Sequence, residues 1–150
     1  MYRSGFTLIE LILVVAGLAI IFSVAAPFSN SSIVKGNTES AARTLELSLR
    51  RAYAYARAEE NNSDWGVYVS GDHATVFSGS LYDGHDTSFD EVATLKTSPT
   101  LSGTLYIDGA AEVVFTKGTG APSATGTIIL SGGSITRTIT INSASAILVE

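Results

Sequence analysis

The feature that most constrains this chain is an uncharged stretch near its N-terminus. Residues 11–34 include no Asp, Glu, Lys or Arg, and the run LILVVAGLAIIF over 11–22 is almost wholly aliphatic. As an α-helix, residues 6–26 would extend roughly 30 Å, the thickness of the hydrocarbon core of a bilayer. Arg3 precedes the stretch, on the side that the positive-inside rule keeps in the cytoplasm. The sequence therefore predicts a single-pass membrane protein with a cytoplasmic N-terminus and an exported remainder.

Two ordinary kinds of N-terminal segment compete with this interpretation. One is a secretory signal cleaved after Ala25 or, less favourably because Pro27 would follow the cut, after Ala26. The other is a plain signal anchor. Neither accounts for Glu10, because a carboxylate within an apolar membrane helix costs about 2.5–3.5 kcal/mol. A cation would offset that cost, and a chain cut before Phe6 would provide one as its free α-amine, four residues away on the same helix face.

The string GFTLIE over residues 5–10 resembles the class III signal of type IV prepilins and pseudopilins. The resemblance implies that a prepilin peptidase cleaves after Gly5 and then methylates the amine of the new N-terminal residue, Phe6. It also implies that Glu10 is the carboxylate used in subunit assembly, where it would neutralise the amine of a neighbouring subunit. Further implied partners are other pilin or pseudopilin subunits, the inner membrane, and the assembly platform of a secretion or pilus machine.

Two features describe the chain just beyond the uncharged stretch. Pro27 is predicted to kink the helix, because proline lacks an N–H and clashes with the preceding turn. The alternative is that the helix ends there, and Gly36 favours that alternative weakly. Over residues 38–60, apolar side chains at 41, 45, 49, 52 and 56 recur at helical spacing. That pattern predicts an amphipathic helix with one core-facing stripe and a solvated, charged opposite side.

After NNSD at 61–64 the sequence becomes typical of β-structure. Runs rich in Val, Ile, Thr and aromatic residues are separated by glycines. They predict strands at 65–69, 74–78, 91–96, 103–107, 112–116, 126–131, 134–141 and 146–149. The SGGS run at 131–134 predicts a hairpin. Arg137 lies among isoleucines, which predicts either an edge position or a buried stem with the charged head in water.

This half of the chain resembles the GspH/FimT group of minor pseudopilins. The matching features are LRRAYAYAR at 49–57, WGVYV at 65–69 and the β-rich end. The predicted fold is therefore α+β and pilin-like, with a long N-terminal helix, membrane-spanning in its first half, packed on a C-terminal antiparallel β-sheet domain. Its predicted parts are a leader peptide at 1–5, a transmembrane helix at 6–28, an amphipathic continuation at 29–60 and a β-rich globular domain at 61–150.

Charge and composition narrow the functional classes. From residue 59 onward eleven acidic side chains stand against three basic ones, a balance of −8, which argues against nucleic acid as a partner. The sequence has no cysteine, so disulfides and thiol chemistry are excluded. The acidic loop from Asp83 to Glu91 offers oxygen ligands but lacks the EF-hand spacing, so a solvated loop is favoured over a calcium site. His73 and His85 lack the paired spacing of zinc ligands.

No catalytic motif appears either, since the sequence has no nucleophile elbow and no P-loop. We therefore predict no enzymatic activity, no metal and no cofactor. The predicted function is a structural subunit of a type IV pilus or type II secretion pseudopilus. The alternative is a filament-tip binding module for an exoprotein, DNA or a surface ligand. Either way, the globular domain would lie in the periplasm or outside the cell.

Overall fold

The polypeptide begins with a helical region. In the computed structural model, helix α1 comprises Leu8–Arg57. The structure describes residues 6–96, 99–107 and 110–150, although the side chains of residues 24–31, 106, 107 and 110 are outside that description. The chain divides into two compact units, Met1–Ile33 and Val34–Glu150.

The N-terminal unit contains the apolar part of α1. Within the residues that the structure describes, no helix is long and apolar enough to cross a membrane. The predictions of a membrane-spanning first half of the helix and of a single-pass inner-membrane location are therefore wrong.

Two predicted site residues cannot be placed in this unit. Gly5, the predicted last leader residue, precedes the first described residue. Pro27, the predicted kink, lies among the residues of α1 whose side chains are not described.

In the described residues of the C-terminal unit, the end of α1 is followed by nine strands and two short 3-10 helices at Glu60–Asn62 and Thr87–Phe89. The strands are β1 (Trp65–Ser70), β2 (His73–Ser78), β3 (Glu91–Thr94), β4 (Thr100–Ser102), β5 (Tyr106–Ile107), β6 (Ala110–Phe115), β7 (Gly126–Gly132), β8 (Ile135–Ile141) and β9 (Ile147–Val149). They form a five-stranded sheet of order β3-β2-β1-β6-β5 and a four-stranded sheet of order β4-β7-β8-β9. All pairings between these strands are antiparallel.

The predicted fold class is therefore wrong in two respects. The β-rich region forms two antiparallel sheets rather than one. The predicted long helix with a membrane-spanning first half is not matched either, because α1 is divided between the two units and no helix in the described residues is long and apolar enough to cross a membrane. Alternation of apolar residues locates strands but does not say which strands pair, so the sequence pattern could not distinguish one sheet from two.

Seven of the eight predicted strands are found within two residues of their expected ends. The exception is 103–107, where the backbone instead forms β4 and β5 on either side of Gly103. Gly103 has a φ of +126°, and a Cβ there would collide with the carbonyl group of Thr127. The chain leaves the four-stranded sheet for the five-stranded one at this glycine. The predicted SGGS hairpin is confirmed, with Gly132 paired to Ile135.

The core of the C-terminal unit lies between α1 and the two sheets. The helix contributes the predicted apolar stripe, whose members have no exposed surface: Ala41, Leu45, Leu49, Ala52 and Ala56. β1, β2, β6, β7 and β8 contribute β-branched and aromatic side chains to the same cluster. Removing this surface from water stabilises the packing by roughly 25 cal/mol per Å².

Polar contacts on the other side of α1 also reach the sheets. Arg137 Nε on β8 donates to Glu39 Oε2 at 2.6 Å, and Arg50 Nη2 donates to the carbonyl oxygen of Ile147 on β9 at 3.3 Å. The hydrogen bond from Arg137, aided by the charges of Arg137 and Arg43, holds the pKa of Glu39 below its ordinary value despite some desolvation. These contacts fix the end of α1 to the four-stranded sheet.

Candidate assembly site

Helix α1 begins with a capped first turn. Thr7 Oγ1 accepts the backbone N–H of Glu10 at 3.4 Å, and the Thr7 carbonyl accepts the N–H of Leu11 at 3.2 Å. A threonine at this position satisfies one of the N–H groups that a helix start leaves unbonded. An acidic side chain in the first turn also suits the positive end of the helix dipole. The residues TLIE at 7–10 therefore start the helix and place Glu10 in its first turn.

Glu10 lies on the surface of this turn, amid apolar neighbours. Its side chain is exposed, and no basic group in the described part of the chain forms an ion pair with it. Phe6, the residue predicted to become the methylated N-terminus, is 85% exposed. The carboxylate is therefore accessible to a cation from another molecule.

The rest of the described N-terminal segment exposes apolar side chains around its circumference. Each of its eleven large apolar residues is at least 47% exposed: Leu8, Ile9, Leu11, Ile12, Leu13, Val14, Val15, Leu18, Ile20, Ile21 and Phe22. A shallow groove of about 320 Å³ runs along one side, lined by Leu11, Ile12, Val15, Ala16 and Ala19. A helix that is apolar on every side is normally buried, and an exposed patch of this extent marks an interaction surface.

Of the four predicted site residues, the structure thus places two, Phe6 and Glu10, together at the exposed start of α1. Sequence reasoning missed the cap at Thr7, although a threonine three residues before a glutamate and ahead of an apolar run is a capping-box signature. The cap gives Glu10 a local structural reason to be acidic, in addition to any role in assembly.

In the acidic loop considered for calcium, the carboxylates of Asp86 and Asp90 contact other groups of the loop. Asp86 Oδ1 accepts the N–H of Ser88 at 2.9 Å and caps the 3-10 helix Thr87–Phe89, and this hydrogen bond holds the pKa of Asp86 below its ordinary value. Asp90 Oδ1 lies 2.7 Å from Nε2 of His85. Across residues 6–96, 99–107 and 110–150, no group of three or more metal-binding side chains is placed to hold a metal ion. Asp86 and Asp90 therefore stabilise the loop itself, whereas Glu91 contacts Arg51 and Tyr55 of α1.

Comparison of the chain with protein-family models, with curated protein sequences and with solved structures finds no match.

Proposed function

We propose that this protein is a structural subunit of a type IV pilus or type II secretion pseudopilus, cleaved and N-methylated at Phe6 by a prepilin peptidase. The observation that carries the proposal is the helix segment 8–23, apolar on every side, with one accessible carboxylate in its first turn. Such a surface is unfavourable in water, because burying apolar area is worth roughly 25 cal/mol per Å². Copies of the same helix, packed side by side, would bury these apolar side chains.

The groove on this segment suits helix packing. Ala16 and Ala19 are small, so their side leaves a depression beside Leu11, Ile12 and Val15. Helices associate when the ridges of one enter the grooves of another. The larger side chains of a neighbouring subunit would fill the depression.

Within such a bundle Glu10 would leave water and would need a cation. Cleavage before Phe6 creates an α-amine at the start of the helix, and the amine of a neighbouring subunit would neutralise the carboxylate. Each carboxylate then takes one amine, so the pairing sets the axial register of the filament. A buried charge that loses its partner costs about 3–5 kcal/mol. Other subunits and the assembly platform of the machine are the proposed partners.

The test starts with processing. The full chain is produced in a bacterium that has a prepilin peptidase and a filament machine, and the mature N-terminus is determined by mass spectrometry. We expect N-methylated Phe6. A chain that keeps Met1 or begins at Ala26 contradicts the proposal.

The same cells then test the charge pairing. Glu10→Gln keeps the shape of the side chain and removes its charge, so we expect normal processing but at least a tenfold loss from the sheared filament fraction, on the order of 1.4 kcal/mol or more. The control is Glu46→Gln on the same helix, whose partly exposed pair with Arg50 is worth at most about 1 kcal/mol. Equal incorporation of the two variants would rule out the charge pairing.

A further inference from the structure

The loop between β2 and β3 covers the outer face of the five-stranded sheet. Val76 on β2 faces the main core, so the next residue, Phe77, points to the opposite face of the sheet. Phe77 is nevertheless fully buried. Tyr82 stacks on Tyr68 with ring centroids 3.8 Å apart and meets the Phe77 ring at its edge. The ring of His85 lies 4.6 Å from that of Tyr82. Residues 79–90, called the cover loop below, thus close a second, smaller apolar cluster.

His85 holds this loop through both of its ring nitrogens. Its side chain is 5% exposed. Nδ1 lies 2.5 Å from the carbonyl oxygen of Tyr82, and Nε2 lies 2.7 Å from Asp90 Oδ1. A carbonyl oxygen and an ionised carboxylate can only accept hydrogen bonds. Both nitrogens must therefore carry a hydrogen, which is the imidazolium form. A neutral ring would lose one bond and turn a lone pair toward an oxygen.

The charged groups around the ring favour that form. Asp90 and Asp86, both on the cover loop, place negative charge beside it. From the sheet, β2 presents the uncharged Phe77, and Glu112 on β6 accepts the N–H of Tyr82 at 2.9 Å. Burial by itself lowers the pKa of His85, but the hydrogen bonds to Tyr82 and Asp90 outweigh it and raise the pKa above the ordinary value of 6.5.

We propose that His85 is a pH-dependent clasp, which holds the cover loop closed over Phe77 when doubly protonated and releases it when neutral. Because the folded-state pKa is raised, the stabilisation is fully present below the unfolded value of 6.5 and is lost as the pH rises through the folded value. The loop is therefore closed in mildly acidic solution and opens on the alkaline side. Opening uncovers the aromatic cluster of Phe77 and Tyr82 as an apolar surface.

Hydrogen exchange on the full chain in a mild detergent tests the clasp. Amide exchange is compared at about pH 5.5 and about pH 8.5, on either side of the histidine range, with each rate divided by its intrinsic rate. Loss of one charge-assisted hydrogen bond predicts about a tenfold or larger rise in the normalised rates of residues 79–90 at the higher pH. Amides of β1 should not change. Constant protection of the cover loop across this range would overturn the proposal.

The two histidines of the chain provide matched variants. His85→Gln should exchange rapidly in the cover loop at both pH values. His73→Gln should keep the pH dependence of the unmodified chain, because His73 is half-exposed and, among the described residues, its ion pair is with its neighbour Asp72. If His85→Gln fails to fold, Asp90→Asn replaces it, and removal of the carboxylate charge should move the opening to lower pH. A folded His85→Gln that retains the full pH dependence would also overturn the clasp.

Discussion

Gly66 determines how closely the cover loop and the five-stranded sheet can pack. It lies in β1 directly opposite Phe77 of β2. A Cβ built on Gly66 would meet the Phe77 ring and come within 3.0 Å of Val114 Cγ2. The ring cannot move aside easily, since it is fully buried beneath Tyr82 and His85. Because Gly66 has no side chain, the Phe77 ring has room to pack against β1.

Gly66→Ala should destabilise the protein by about 1–3 kcal/mol, because an added methyl overpacks a filled site. Gly36→Ala is the matched control. Gly36 lies in α1, and a Cβ added there would meet no atom within 4 Å, so alanine should stabilise the helix by up to about 1 kcal/mol. Urea unfolding of both variants measures the free energies. Opposite signs are expected, and destabilisation by both would contradict the packing argument.

Residues whose partners are distant in sequence cannot be predicted from local patterns. The isoleucines around Arg137 predict an edge position or a head in water, whereas the side chain pairs with Glu39, 98 residues earlier. No local pattern encodes such a contact. By contrast, the cap at Thr7 is a short-range signal that the sequence does carry.

Helix α1 shows how well periodicity predicts burial. Spacing alone predicts the stripe at 41, 45, 49, 52 and 56, and all five residues are fully buried. Strand positions are predictable for the same reason, since alternation reports which residues face inward. Pairing order is different, because it depends on where loops redirect the chain, as at Gly103.

Two leucines of α1 test this stripe directly. Leu45 is fully buried, and Leu47 is 63% exposed two residues later. Leu45→Ala should cost about 2–5 kcal/mol through lost burial and the cavity left behind. Leu47→Ala should change stability by less than about 0.5 kcal/mol. Chemical denaturation of each variant under the same conditions measures the free energy of unfolding. Similar losses of this free energy in the two variants would mean that the stripe is assigned to the wrong face of the helix.

At the scale of the whole molecule, the core and the exposed apolar surface of α1 belong to different parts of the chain. Every residue of the main core lies between Ala41 and Ile147, inside the C-terminal unit. The apolar segment 8–23 contributes none of them. The sequence predicts that this segment spans a bilayer, and that prediction is wrong. An apolar composition shows that a surface must be buried against something apolar, but it does not show whether lipid or protein buries it.

A chain that begins at residue 34 should therefore fold and remain monomeric, while the full chain associates. Thermal unfolding and sedimentation in dilute solution measure the two properties. Val15→Lys keeps the full length of the chain and places a charge in the apolar groove, so it separates the effect of the apolar surface from the effect of shortening the chain. This variant should associate more weakly, and the melting temperature of its C-terminal unit should not fall. Association of the shortened chain as strong as that of the full one would place the contact surface elsewhere.

The contacts of Arg50 and Glu39 also set an order of events during synthesis. Arg50 bonds to Ile147, 97 residues later, so this end of the helix waits for the last strand. At a translation rate of about 5–20 residues per second, that wait is roughly 5–20 s. Contacts so distant along the chain form slowly, because loop closure precedes them. During this interval the cover of the α1 stripe is incomplete, because β7, β8 and β9 contribute to the same core cluster. The nascent chain is therefore most exposed to aggregation at this stage, which is the one that a holding chaperone would protect.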